Sequence, residues 1–171
     1  ARLRLMVPVA LVLIFILLYL NFRATRPVFL ILVNIPMALV GGIIGLKLFG
    51  LYLSVSASVG FIALFGIAVL NGLVMVEFFR NLEVDGMPRR EAVLEGAELR
   101  LRPVLMTAAT TALGLVPMVW ASGVGSEVQR PLAVVVVFGV VTSTLLTLMV
   151  LPVLYLRFGG EISTDEVADQ P

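Results

Sequence analysis

The chain has 171 residues, 60% of them apolar and only 13% charged, with 12 Lys and Arg against 11 Asp and Glu. A soluble domain averages roughly 25% charged and 45–50% apolar residues, so the excess apolar surface here must face lipid or an unusually large buried surface. A net charge of +1 without a long basic block argues against nucleic acid as a partner, and the absence of Cys and His excludes thiolate and imidazole metal sites, disulfides and Cys or His catalysis within this stretch.

The charges are unevenly placed and leave five charge-free runs: Leu5–Phe22, Pro27–Leu46, Leu48–Val76, Pro103–Ser126 and Pro131–Leu156. A spanning helix needs about 20 predominantly apolar residues, and none of the runs shows the apolar and polar alternation of a barrel strand. The reading is therefore an all-α integral membrane protein with five spans, over about 5–22, 28–48, 56–79, 103–121 and 131–156. The chain opens on Ala1 rather than Met, and its first run is too long for a signal-peptide core; it reads as a retained span in a piece of something longer.

The first run is nearly all Leu, Val and Ile, a uniform surface suited to lipid. The second carries Asn34 and Pro36, then Gly41, Gly42 and Gly45, and the 41 to 45 spacing predicts a groove for another helix backbone. The third is too long for one straight crossing, so Leu51–Ser56 is expected at the interface before the helix enters near Val59. Its small-residue core, 60–72, ends on Asn71, the one amide before charge returns at Glu77. The fourth places Thr107, Thr111 and Gly114 on one side at helical spacing. The hydroxyls of Thr142, Ser143, Thr144 and Thr147 in the fifth are expected to bond carbonyls one turn back.

Between the third and fourth spans, Pro88 and the following residues predict a short cytoplasmic surface helix over 88–99, with Glu91, Glu95 and Glu98 on one face. Residues 159–171 are polar and acidic and read as a disordered tail. Eight Arg (23, 26, 80, 89, 90, 100, 102, 157) lie on one side of the five-span topology, against Arg2, Arg4, Lys47 and Arg130 on the other. The positive-inside bias makes the first side cytoplasmic, with the N-terminus outside and the C-terminus inside.

Three stretches carry more than helix propensity: Asn71-Gly-Leu-Val-Met-Val-Glu-Phe-Phe79, Glu95-Gly-Ala-Glu-Leu-Arg-Leu-Arg-Pro-Val-Leu-Met-Thr107, and Gly123-Val-Gly-Ser-Glu-Val-Gln-Arg-Pro-Leu-Ala133. On these the sequence resembles the C-terminal membrane half of the resistance-nodulation-division exporters, and the third resembles their heavy-metal efflux branch. The match runs from about Leu5 to Phe158. The resemblance implies a proton-driven antiporter of divalent heavy-metal cations in a bacterial inner membrane. It also implies a homotrimer that works with a periplasmic adaptor and an outer-membrane channel, with its proton-relay carboxylates in another part of the protein. No resident cofactor and no metal site in this stretch are implied.

The relay carries over only in part. Multidrug members place Lys, and copper and silver members Glu, where Leu70 stands; copper and silver members place Lys where Val104 stands. These departures point toward exporters of cobalt, zinc, cadmium or nickel. Through the resemblance, Thr107 and Arg100 match positions that affect proton coupling, and Asn71 and Glu77 join them as candidates. For Asn71 the alternative is a plain interhelical hydrogen bond, for Thr107 a self-satisfied hydroxyl, and for Glu77 an interfacial pair with Arg80. Met75, Met106 and Met118 read as packing residues rather than a thioether relay, and Glu127 with Arg130 as a surface cap or ion pair. Rival readings are a multidrug exporter and a non-transporting membrane subunit of a protein-export complex.

Overall fold

The computed structural model describes residues 2–22 and 25–158, which form five helices: α1 (Arg2–Phe22), α2 (Thr25–Leu48), α3 (Val55–Val84), α4 (Arg89–Val119) and α5 (Ser126–Phe158). No strand occurs among the described residues. Four segments are long and apolar enough to cross a membrane, namely Arg26–Leu48, Val55–Val84, Arg89–Val119 and Ser126–Phe158, while in α1 the apolar stretch is the shorter Pro8–Leu20. Arg23, which entered the orientation count, and the acidic tail 159–171 lie outside the described residues.

The separate surface helix expected over 88–99 is absent. α4 runs unbroken from Arg89 to Val119 with Pro103 and Pro117 inside it. Pro103 forfeits the bond to the Leu99 carbonyl, but the preceding stretch of Glu, Leu, Ala and Arg is strongly helix-forming and carries the helix across the gap. Gly96 also presses α4 against α3, where a Cβ would stand 2.6 Å from Phe79 Cδ1. α3 begins at Val55, slightly before the expected entry point. Ser54 caps it by accepting from the Ala57 N–H at 3.2 Å. At its second residue, the Ser56 hydroxyl donates to the Val128 carbonyl and ties the start of α3 to the first turn of α5.

α5 is the centre of the bundle: α2, α3 and α4 all pack on it, whereas α1 packs on α2 alone. The register can be read from close approaches. Gly60 meets Leu132 and Val135, and Gly139 meets Leu64, so α3 and α5 advance together and are parallel. Gly41 meets Thr142 while Gly45 meets Phe138, so α2 and α5 run antiparallel. These contacts leave no room for a side chain. A Cβ at Gly45 would stand 2.7 Å from Phe138 Cβ, and one at Gly41 would stand 3.0 Å from the Phe138 carbonyl oxygen. The groove expected from the Gly41 and Gly45 spacing is thus filled by α5.

Lipid supplies no hydrophobic drive between helices, so such approaches decide the packing. Adding a methyl to Gly139 should drive it into fully buried Leu64 and cost about 1–3 kcal/mol. The Gly139→Ala, Leu64→Ala double variant should unfold in detergent no earlier than Leu64→Ala alone, because the second change removes the obstruction. Strictly additive losses in a double-mutant cycle would refute this contact.

Candidate functional site

Of the four candidate residues, Asn71 and Thr107 share a depth. The Arg100 guanidinium lies 4.5 Å from the centre of the Phe78 ring, which fixes the level of α4 against α3. Thr107 is 107 − 100 = 7 residues beyond that contact on α4, and Asn71 is 78 − 71 = 7 residues beyond it on antiparallel α3. Both therefore sit about 10 Å from the Arg100 level, inside the apolar layer. Thr107 is exposed and donates to the Pro103 carbonyl at 2.9 Å, and Thr111 repeats the pattern on Thr107 at 2.8 Å. Asn71 is half-buried and Leu70 exposed. Glu77 is exposed, one residue from the Phe78 that Arg100 covers.

The setting of Thr107 is an uncovered helix face. Only 17% of the apolar window of α4 is buried, against 44–50% in α2, α3 and α5. Thr110 and Gly114, on the same side of α4, are exposed as well, and nothing stands within 4 Å of where Gly114, or Gly66 on α3, would carry a Cβ.

A second polar layer lies inside the bundle, and its role is not one the sequence suggested. Asn34, Ser143, Thr144 and Thr147 are at most 3% exposed. The hydroxyls of Ser143, Thr144 and Thr147 have no hydrogen-bond partner, nor does Asn34 Nδ2, so the expected bonds one turn back do not form at these three. A Cβ on Gly72 would stand 3.2 Å from Asn34 Nδ2. Gly72 lies 72 − 64 = 8 residues past Leu64 and Thr147 lies 147 − 139 = 8 past Gly139, so Asn34, Gly72 and Thr147 occupy one level. Asn34 was visible as a mid-span amide, but nothing in the spacing paired it with the threonines of α5.

The remaining expectations sort quickly. Met75 and Met118 belong to different apolar clusters and Met106 is exposed. No group of three or more Asp, Glu, His or Cys among the described residues could hold a metal. Arg130 covers the Phe49 ring at 5.9 Å rather than pairing with Glu127.

A polar knot at the end of α3 involves none of the candidates. Glu83, its carboxylate side chain 5% exposed, accepts from Arg89 Nε at 2.7 Å and from the Tyr155 hydroxyl at 3.2 Å. One carboxylate thereby joins the end of α3, the start of α4 and the end of α5. The intervening turn reverses at Gly86, whose φ of +91° favours glycine.

Long apolar helices with polar side chains in their middle make an all-helical membrane bundle, and the family of the chain is one of membrane proteins of this kind. The chain belongs to the AcrB/AcrD/AcrF family, whose model matches residues 1–159. It is 55% identical over 154 residues to the cobalt-zinc-cadmium resistance protein CzcA of Cupriavidus metallidurans, a match covering 90% of this chain and 14% of that protein. It is 52% identical over 171 residues to protein HelA of Legionella pneumophila, covering 99% of this chain and 16% of that one. A crystal structure of a heavy metal efflux pump superposes with a TM-score of 0.84 at 51% identity, over 92% of this chain and 16% of the pump. The chain thus spans about one-sixth of the length of the proteins it matches.

Removing the Glu83 carboxylate should loosen the three helix ends together. Glu83→Ala removes both hydrogen bonds that the carboxylate accepts and is expected to cost about 2–3 kcal/mol, while Tyr155→Phe loses one hydrogen bond and about 1 kcal/mol. Unfolding in mild detergent, followed by circular dichroism, checks the order; equal losses would deny Glu83 its joining role.

Proposed function

We propose that this chain is the C-terminal transmembrane bundle of a proton-driven exporter of divalent heavy-metal cations, set in a bacterial inner membrane. The observation that carries this reading is the 55% identity with a cobalt-zinc-cadmium resistance protein, supported by the likeness to a heavy metal efflux pump. The whole pump works as a trimer with a periplasmic adaptor and an outer-membrane channel, and draws on the proton gradient. α1 is the first of five spans, the N-terminus is periplasmic and the C-terminus cytoplasmic.

In this reading the bare face of α3 and α4 meets a further helix that brings the titrating carboxylates. Gly66 and Gly114 let that helix come close, and Asn71 and Thr107 lie at one depth to hydrogen-bond it. Arg100 and Glu77 lie at the cytoplasmic edge of the same face and bias the local potential. The bundle contributes neutral partners that distinguish a protonated from a deprotonated carboxylate; the charge that moves belongs to the neighbouring helix. Leu70 fits this division, because the position carries no titrating group of its own.

Two measurements test the proposal. In the complete pump, Asn71→Ala and Thr107→Ala should each lower cobalt, zinc or cadmium resistance about fivefold, the scale of one hydrogen bond of about 1 kcal/mol, with normal expression and assembly. Unchanged resistance in both would reduce the pair to packing residues. For orientation, cysteines introduced at Gly86 and Gly125 should react with an impermeant reagent from opposite sides, the first from the cytoplasm; reaction from one side would remove the five-span topology.

A further inference from the structure

At the end of the bundle where α2 begins and α5 finishes, α1, α2 and α5 enclose a groove of about 680 Å³. Its walls include Phe15 of α1, Phe29 and Val33 of α2 and Leu154 of α5, and its lining holds two charged side chains, Arg26 and Arg157. Because α2 and α5 are antiparallel, the first turn of one and the last turn of the other bring both guanidinium groups to the same rim. Both are exposed, and among the described residues no carboxylate lines the groove.

The arrangement has a direction. Val33 is 33 − 26 = 7 residues beyond Arg26 on α2, so the apolar floor reaches about 10 Å from the charged rim into the hydrocarbon layer. Arg157 lies near the ring of its neighbour Phe158, with 6.0 Å between guanidinium carbon and ring centre. Two like charges at the mouth of an apolar slot call for one anion carried on an apolar tail. A protein helix would have to supply a carboxylate at that depth, whereas a phospholipid already carries phosphate at the headgroup level and an acyl chain below it. Arginine's planar fork suits phosphate oxygens, and two forks can share one phosphate.

We propose that this groove is a binding site for an anionic glycerophospholipid, its phosphate held between Arg26 and Arg157 and one acyl chain laid along Phe29 and Val33. The bound lipid fills the space that α1, resting on α2 alone, leaves between itself and α5, and so fastens α1 to the bundle. The site is independent of the transport reading, because it uses none of Asn71, Thr107, Arg100 or Glu77.

Native mass spectrometry of the intact protein tests it, after delipidation in detergent and titration with dioleoyl phosphatidylglycerol or dioleoyl phosphatidylcholine. Wild type is expected to hold one phosphatidylglycerol more tightly than any phosphatidylcholine. Arg26→Gln with Arg157→Gln should weaken that lipid about thirtyfold, at about 1 kcal/mol per arginine, and leave phosphatidylcholine unchanged. Val33→Trp, which keeps both charges and fills the floor, should weaken it too. If the double variant does not fold, Arg157→Gln alone carries the test, with about a fivefold loss. Equal binding of the two lipids by wild type, or undiminished phosphatidylglycerol in the arginine variants, would overturn the proposal. So would phosphatidylglycerol binding that emerges only after residues 159–171 are deleted, which would assign the arginines to the acidic tail.

Discussion

The bundle depends on how closely backbones can approach α5. In water, the valines of this helix would gather partners by leaving solvent, but in lipid that gain vanishes and helices adhere through contact area and interhelical polar bonds. Gly41, Gly42 and Gly45 on α2, Gly60 on α3 and Gly139 on α5 remove the side chains that would hold the axes apart. Ala133, Val134, Val135, Val136 and Val140 then become fully enclosed. β-Branched residues suit such a position, since a helix already restricts them to few rotamers and packing costs little further entropy. With α5 held on three sides, α3 and α4 are fixed beside each other, and Glu83 locks their junction to Tyr155.

This architecture divides polar groups into two kinds. Asn34 and Thr147 share a level within the bundle and have buried groups without partners, a cost that a membrane interior makes larger. Asn71 and Thr107 share a level nearer the edge, Asn71 half-buried and Thr107 on the exposed side of α4. The edge pair suits a role with a neighbouring helix; the inner layer suits adjustment between packed arrangements of α2, α3 and α5. The distinction rests on burial and register, and it separates residues that composition alone would group together.

Much of this was legible in the sequence because charge and apolar length are what a bilayer selects. The gaps in charge located the helices, and the Gly41 and Gly45 spacing announced a close neighbour, although only the structure identifies it as Phe138 and Thr142. Three features escaped for physical reasons. The charges at Arg100 and Arg102 parted a surface helix over 88–99 from a span beginning at Pro103, but one helix runs through both, since a proline costs one hydrogen bond and the flanking residues hold the helix together. Thr142, Ser143, Thr144 and Thr147 looked alike, yet hydroxyl satisfaction depends on rotamer and neighbours, so the self-bonding seen at Thr107 and Thr111 does not recur at the buried three of them. The pairing of Glu83 with both Arg89 and Tyr155 likewise joins residues up to 72 positions apart, a relation no local spacing encodes.

The proposed function requires that the face of α4 bearing Thr107 be covered by protein rather than lipid in the complete protein. Spin labels at Gly114, two turns from Thr107 on the same side of α4, and at Leu13, on the exposed side of α1, would test it in bilayers through collision with oxygen and with a water-soluble nickel chelate. Low access to both reagents at position 114, beside high oxygen access at Leu13, is the predicted result; oxygen access at position 114 as high as at Leu13 would contradict it.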